Sequence, residues 1–181
     1  DTLYDCSGTL VVQGQKHAAK IIAKLINCSE EEAYHLQVKM ERQYGTNVNI
    51  YEKIVVSRGL PHACIKELLE EFIYTDITGI TLFPGVLETL KKLKAQGYKL
   101  ILVTSGEKSM QNQKIQVLGL QYGYFDNIFI ADRVAGQLKN GYFKEIVQRY
   151  HLKPEEIICI GDKIEDELTA SRSLGMITVM L

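Results

Sequence analysis

Leu100-Ile101-Leu102-Val103-Thr104-Ser105-Gly106 is the stretch that decides the fold. Four apolar residues in an unbroken run stop at two hydroxyls and a glycine. A short apolar run closed by a turn signal predicts a strand buried on both faces, as in a parallel sheet. Before it, Val86, Leu87, Leu90 and Leu93 mark a helix that follows Phe83-Pro84-Gly85 and closes at Gly97. After it, a helix is expected up to Leu118-Gly119. Ile128-Phe129-Ile130 reads as a second strand. Phe143, Ile146 and Val147 mark another helix, and Ile157-Ile158-Cys159-Ile160 a third buried strand. Leu168 to Leu174 reads as helical, ending at Gly175, and Ile177-Thr178-Val179 as a last strand. Strands alternating with helices predict an α/β fold built on a doubly wound parallel sheet.

The N-terminal part reads differently. Leu3-Tyr4 looks like the end of a short strand, broken by Asp5-Cys6-Ser7-Gly8. From about residue 15 to residue 75 the pattern is helical. Ala18, Ile21, Ile22 and Leu25 recur at helical spacing. Ser29 with Glu32 three residues on predicts a capping box for a helix running towards Tyr44-Gly45. Gly59 and Pro61 punctuate a further pair of helices, the second carrying Ile65, Leu68, Leu69 and Phe72. The expected organisation is therefore a small helical cap domain, 12–79, inserted into an α/β core formed by 1–11 and 80–181. The chain crosses between them twice, which suits a cap that hinges over a site. Two independent domains fit worse, because a lone N-terminal strand cannot fold by itself.

The 181 residues allow one core domain plus an insertion. The formal net charge of -1 gives no basic surplus for nucleic acid or an anionic membrane. No apolar run approaches the roughly 20 residues that span a bilayer. Cys6, Cys28, Cys64 and Cys159 are widely spaced, without a CxxC pair, which speaks against a zinc or redox motif and for reduced thiols in a cytoplasmic protein. His17, His35, His62 and His151 are equally dispersed. The chain begins abruptly, which leaves room for an upstream residue or two, and it stops right after an expected strand, which leaves a C-terminal segment open.

Ligands of open parallel sheets bind outside the carboxyl ends of the strands. Three expected strands end in reactive polar groups: the first at Asp5, the second at Thr104-Ser105-Gly106, the third at Gly161-Asp162, with Asp166 and Glu167 beyond. A lone Asp or Ser there is usually a turn residue, but three such ends with a lysine make a coherent chemistry. Asp5 can attack phosphorus and form an aspartyl phosphate. Two anions repel, so a divalent cation is needed. Asp5, Asp162 and one further acid offer hard oxygen ligands suited to Mg²⁺. The Thr104 hydroxyl and nearby backbone N–H groups can hold phosphate oxygens, and Lys139 can neutralise charge. Gly8 permits a tight turn after the nucleophile.

The order Tyr-Asp5-Cys-Ser-Gly-Thr9-Leu, Leu-Val-Thr104-Ser-Gly, Lys139 before Tyr-Phe-Lys-Glu-Ile, and Lys-Pro-Glu-Glu-Ile-Ile-Cys-Ile-Gly-Asp162 resembles the haloacid dehalogenase (HAD) superfamily over nearly the whole chain. Phe83-Pro84-Gly85 and the stretch from Ala170 to Gly175 support it. The resemblance implies a Rossmann-like core with a type 1 helical cap and Mg²⁺-dependent phosphatase activity. It implies Asp5 as nucleophile, Thr104 with Ser105 and Gly106 as the phosphate-binding turn, and Lys139, or else Lys144, as the third-motif lysine. It implies Asp5, the backbone carbonyl of Ser7, Asp162 and either Asp166 or Glu167 as metal ligands. The four-residue spacing favours Asp166, one helical turn along on the same face; an acid left over would serve the helix dipole.

Ser7 is the departure. Phosphatases of the superfamily carry there an Asp that protonates the leaving group and then activates water. Serine lacks that acid–base capacity near neutral pH, a contribution of about 10²–10⁴-fold in rate. P-type ATPases carry Thr at the position and phosphonatase-like members Ala; dehalogenases carry Tyr but lack the acidic metal pair. The expectation is a phosphatase or phosphotransferase, slowed by Ser7, acting on a small phosphorylated metabolite as a monomer or small homo-oligomer. The second reading is a regulatory protein that binds phosphate ligands without turnover. The third, a receiver-like signalling domain, is disfavoured by the helical insert and the late Gly161-Asp162. Gln43-Tyr44-Gly45-Thr46 faintly resembles the pyrimidine 5′-nucleotidase-like branch, against a helix end with a glycine cap.

Overall fold

Local sequence sets most helix ends. In the computed structural model, which describes residues 1–45, 48–73, 76–132 and 135–181, α1 (Val12–Ile26) stops at Asn27, which takes the left-handed conformation with φ 52°. The Ser29–Glu32 capping box starts α2 (Glu30–Tyr44): Glu32 N–H donates to Ser29 Oγ at 3.2 Å, and Ser29 N–H to the Glu32 carboxylate at 2.9 Å. That carboxylate sits below its ordinary pKa because of these bonds to Ser29. Asn49 caps α3 (Ile50–Ser57) through Tyr51 and Glu52 N–H, and α4 (Ala63–Ile73) follows. Thr46 of the nucleotidase-like quartet lies outside the described residues.

Chain contacts divide the molecule into two units: Asp1–Asp5 with Thr78–Leu181, and Cys6–Ile77. The helical unit includes Ser7–Val11, which wind into a π-helical turn leading directly into α1. Its core holds Ala18, Ile22, Ala33, Ile54, Val55 and Leu68, all fully buried. Burying a side chain the size of Ile22 or Leu68 contributes about 1.5–3 kcal/mol. One polar network is enclosed: Tyr51 Oη donates to Gln37 Oε1 at 3.1 Å, and Gln37 Nε2 to the Gln15 carbonyl at 2.9 Å. Burial pushes the Tyr51 phenol up, and Glu41 adds to it. Gly14 lets α1 meet α4 closely. A Cβ there would lie 2.5 Å from the Phe72 carbonyl oxygen and 2.7 Å from its ring Cδ2. Helix propensity alone favours Ala over Gly by up to about 1 kcal/mol. The clash is with backbone, so Gly14→Ala is expected to lose about 1–3 kcal/mol net. A urea midpoint unchanged or raised would refute this.

The other unit contains α5 (Val86–Ala95), β1 (Ile101–Gly106), α6 (Lys108–Val117), β2 (Asn127–Asp132), α7 (Lys139–Tyr150), β3 (Ile158–Gly161), the short α8 (Thr169–Arg172) and β4 (Ile177–Met180). It is an α/β assembly of parallel strands and helices, with β1 paired to β2 from Ile101↔Asn127 to Gly106↔Asp132, and β3 to β4 from Ile158↔Ile177 to Gly161↔Met180. Phe129, Phe143, Ile146 and Met176 form its buried cluster. Three expectations need correction. Leu3-Tyr4 is not a ladder strand: Tyr4 forms one antiparallel bridge with Leu82, and Phe83 N–H donates to the Leu3 carbonyl at 2.9 Å. Among the described residues the sheet is accordingly two parallel pairs rather than one continuous sheet. The apolar runs are also not buried on both faces. Ile158 and Ile160, opposite Ile177 and Val179, are each about half exposed, because a run of apolar residues does not specify what covers each face.

Candidate active site

The strand ends carry the polar residues. Thr104, Ser105 and Gly106 are the last three residues of β1, and Gly161 is the last of β3, so Asp162 leaves the strand at its carboxyl end. Glu107 caps α6 by accepting from Ser109 N–H at 2.9 Å and Met110 N–H at 2.7 Å. Lys139 is the first residue of α7. Asp5 closes the N-terminal segment of the same unit, whereas Ser7, exposed, begins the first turn of the helical unit.

Lys139, Asp162, Asp166 and Glu167 form one connected cluster. Lys139 Nζ lies 2.6 Å from Glu167 Oε2 and 3.1 Å from Asp166 Oδ2, with its side chain only 12% exposed. Glu167 Oε1 accepts from the backbone N–H of Lys163 at 2.9 Å and of Asp162 at 3.2 Å. The Glu167 carbonyl is held as well, by Ser171 Oγ at 2.7 Å and the Cys159 thiol at 3.9 Å. Burial pushes Glu167 up, but the Lys139 ammonium and the Lys163 N–H outweigh it and hold the carboxyl below its ordinary value. Burial pushes the Cys159 thiol up. Asp162 accepts from Thr2 Oγ1 at 3.4 Å. Lys144, the other candidate for the third-motif lysine, is exposed on α7.

The prominence of Glu167 has a local cause. Residues Ile164–Leu168 form a π-helical turn, in which Leu168 N–H reaches the Lys163 carbonyl at 3.3 Å. An α-helical count places Asp166 one turn beyond Asp162; the wider π turn brings the fifth residue round instead. Gly161 makes the room, since a Cβ there would lie 2.6 Å from Glu167 Cγ and Oε1. A glycine directly before the acid was the one sequence signal for this packing.

The sequence model of the haloacid dehalogenase-like hydrolases matches residues 1–181. The chain belongs to that family. It is 28% identical over 185 residues to a glyceraldehyde 3-phosphate phosphatase of Methanocaldococcus jannaschii, covering 100% of this chain and 81% of the relative. It is 25% identical over 181 residues to a phosphoserine phosphatase of Archaeoglobus fulgidus, covering 94% of this chain and 49% of that protein. Among solved structures, an HAD phosphatase from Thermococcus onnurineus superposes with a TM-score of 0.65 at 24% identity, covering 100% of this chain and 82% of that one. The fold is thus that of the HAD hydrolases, a Rossmann-like α/β core with a helical cap, and the chain is an enzyme of a family of phosphoric monoester hydrolases.

HAD phosphatases generally use a divalent metal ion. Asp162 and Asp166 are hard oxygen donors of the type such ions take. Among the described residues, no three His, Cys, Asp or Glu side chains converge as a metal cluster. No described helix is long and apolar enough to cross a membrane.

Proposed function

We propose that this HAD hydrolase is a phosphatase or phosphotransferase of small phosphorylated metabolites, working through an aspartyl phosphate on Asp5. The observation that carries the reading is the Lys139–Glu167 pair beside Asp162: a nearly buried ammonium, oriented by a carboxylate, at the carboxyl end of a parallel strand. Such an ammonium stabilises negative charge with little reorganisation. The matches, over the whole of this chain, to phosphatases named for glyceraldehyde 3-phosphate support a small substrate.

In the proposed reaction an Asp5 carboxylate oxygen attacks phosphorus and the bond to the substrate oxygen breaks. Thr104 and the Ser105–Gly106 turn hold the phosphoryl oxygens, and Lys139 neutralises them. Water then cleaves the aspartyl phosphate, releasing inorganic phosphate and regenerating Asp5. Mg²⁺ is the cation we assign, held by Asp5, the Ser7 carbonyl and Asp162; when bound it offsets repulsion between the phosphate and the carboxylates. Asp166 is the more exposed acid beside Lys139 and remains a candidate donor. Glu167, with both oxygens engaged, is assigned to holding Lys139 and the Asp162 loop.

Ser7 supplies no general acid or base in this scheme. The leaving oxygen takes its proton from solvent, and the phosphorylated Asp5 is hydrolysed slowly. The same residue supports the second reading, a protein that binds phosphate ligands for regulation. Screening a library of phosphorylated metabolites with Mg²⁺ decides between them, with Asp5→Asn as control. Turnover of a small phosphate ester is expected, lost in Asp5→Asn and on chelation. Phosphate binding without hydrolysis of any compound would favour the regulatory reading, and turnover that survives in Asp5→Asn would exclude Asp5 as nucleophile.

A further inference from the structure

Gln111, in the first turn of α6, reaches back to the end of β1. Its backbone N–H donates to the Glu107 carbonyl at 3.0 Å. Its side-chain Nε2 reaches back over Gly106 to the Ser105 carbonyl at 2.5 Å. Gly106 has φ 152°, a value L side chains rarely adopt, and a Cβ there would run into the Gln111 side chain, with Cδ at 3.1 Å and Cγ at 3.2 Å. The missing side chain is what lets the carboxamide cross.

The direction of the gripped carbonyl follows from the ladder. On β2, the Asp132 N–H donates to Gln137 Oε1 at 3.1 Å, and the Asp132 carbonyl accepts from Gln137 N–H at 2.9 Å. The Ile130 carbonyl accepts from Tyr142 Oη at 3.2 Å. Residues 130 and 132 therefore point to the outer edge, and Ala131 between them faces β1. Ser105 is the register partner of Ala131. In a parallel ladder the residue opposite a bonded one turns its own N–H and C=O the other way. Ser105 thus presents both groups on the side of β1 away from β2. The carbonyl is taken by Gln111, and the N–H stands on that same side, next in the chain to Thr104.

We infer that Gln111 is a positioning residue for anion binding: by holding the Ser105 carbonyl it fixes the Ser105 N–H as the backbone donor to a phosphoryl oxygen. This rests on the phosphatase reading above. Gln111 itself touches no reacting atom. Loss of the grip lets the Ser105 backbone rotate, which weakens the phosphate without disturbing Lys139 or Asp162.

The test is inorganic phosphate, as a competitive inhibitor and by calorimetry with Mg²⁺ present, on the wild type, Gln111→Met and Gln111→Glu. Both variants keep the length of the side chain and remove the donor. Phosphate affinity is expected to fall about tenfold in Gln111→Met, the equivalent of one lost hydrogen bond, and further in Gln111→Glu. The Mg²⁺ activation constant and the thermal midpoint are expected to stay near wild type, which a general loosening of the fold would not allow. Gly106→Ala, which crowds the carboxamide off the turn with Gln111 intact, is expected to reproduce the loss and serves if the Gln111 variants do not fold. Phosphate affinity within twofold of wild type in all folded variants overturns the inference and leaves the phosphatase reading standing. A wild type that neither binds phosphate nor cleaves any phosphate ester overturns both.

Discussion

Ser7→Asp is expected to raise steady-state hydrolysis of an aryl phosphate by about 10²–10⁴-fold, the range of one well-placed general acid–base. In barrier terms that is roughly 3–5 kcal/mol. The reason is the second half of the proposed reaction. Attack by Asp5 needs only a positioned carboxylate and charge neutralisation, which this scheme gives to Lys139 together with the bound cation. Cleaving the aspartyl phosphate needs a proton removed from water, and a serine hydroxyl is a poor base near neutral pH. The wild type is therefore expected to accumulate phosphorylated Asp5, trapped on acid quench, with a burst followed by slow turnover. In Ser7→Asp the burst disappears and the slow phase accelerates. Equal, fast rates in both proteins would sink the assignment of Ser7 as the limiting position. Ser7→Ala should behave as wild type, because in this scheme only the Ser7 backbone carbonyl is used.

Glu167→Leu is expected to cost about 3–5 kcal/mol of stability, the range for breaking a buried ion pair from one side. Three donors lose their acceptor together: Lys139 Nζ and the N–H groups of Asp162 and Lys163. The Lys139 ammonium keeps Asp166 at 3.1 Å, which is why the loss stays within that range rather than above it. Glu167→Gln retains an acceptor for the loop and should lose less. The double variant Lys139→Met/Glu167→Leu is expected to recover part of the loss, because it removes the ammonium together with its partner. Urea unfolding of the three variants checks this. A Glu167→Leu midpoint equivalent to less than about 1 kcal/mol of loss would mean that the cluster is open to water and its ion pair screened.

The difference between Asp166 and Glu167 shows where one-dimensional reading stops. Both acids follow Asp162, and α-helical spacing favours the first. The chain instead forms a π turn over Ile164–Leu168, and the fifth residue goes inward, into the space beside Gly161. Turn type is set by packing, here by Leu168 and Ser171, both buried; no local pattern announces it. The role of Gln111 is hidden from a one-dimensional reading for a related reason. A glutamine on a helix that also carries Lys108, Ser109, Asn112, Gln113 and Lys114 looks like solvent-facing surface until β1 and α6 lie side by side.

The first strand has a similar lesson. Leu3-Tyr4 is apolar and short, and such a segment becomes a ladder strand only where neighbours offer a register. Its one bridge is to Leu82, beside the Phe83 that opens the α/β stretch. By contrast, the Ser29–Glu32 capping box was legible because all its partners lie within four residues.

By itself the sequence determined the alternation of helices and parallel strands from Val86 onward, the all-helical character of the stretch from Val12 to Ile73, and the presence of Thr104 and Asp162 at the carboxyl ends of strands. Those features rest on periodicity and turn chemistry, which act over a few residues. Only the tertiary structure decided that Lys139 is held by Glu167, that Gln111 reaches Ser105, and that one face of the β3–β4 pair stays exposed. Each of these depends on which side chains meet across separate elements, and that is fixed by packing geometry rather than by neighbours in the chain.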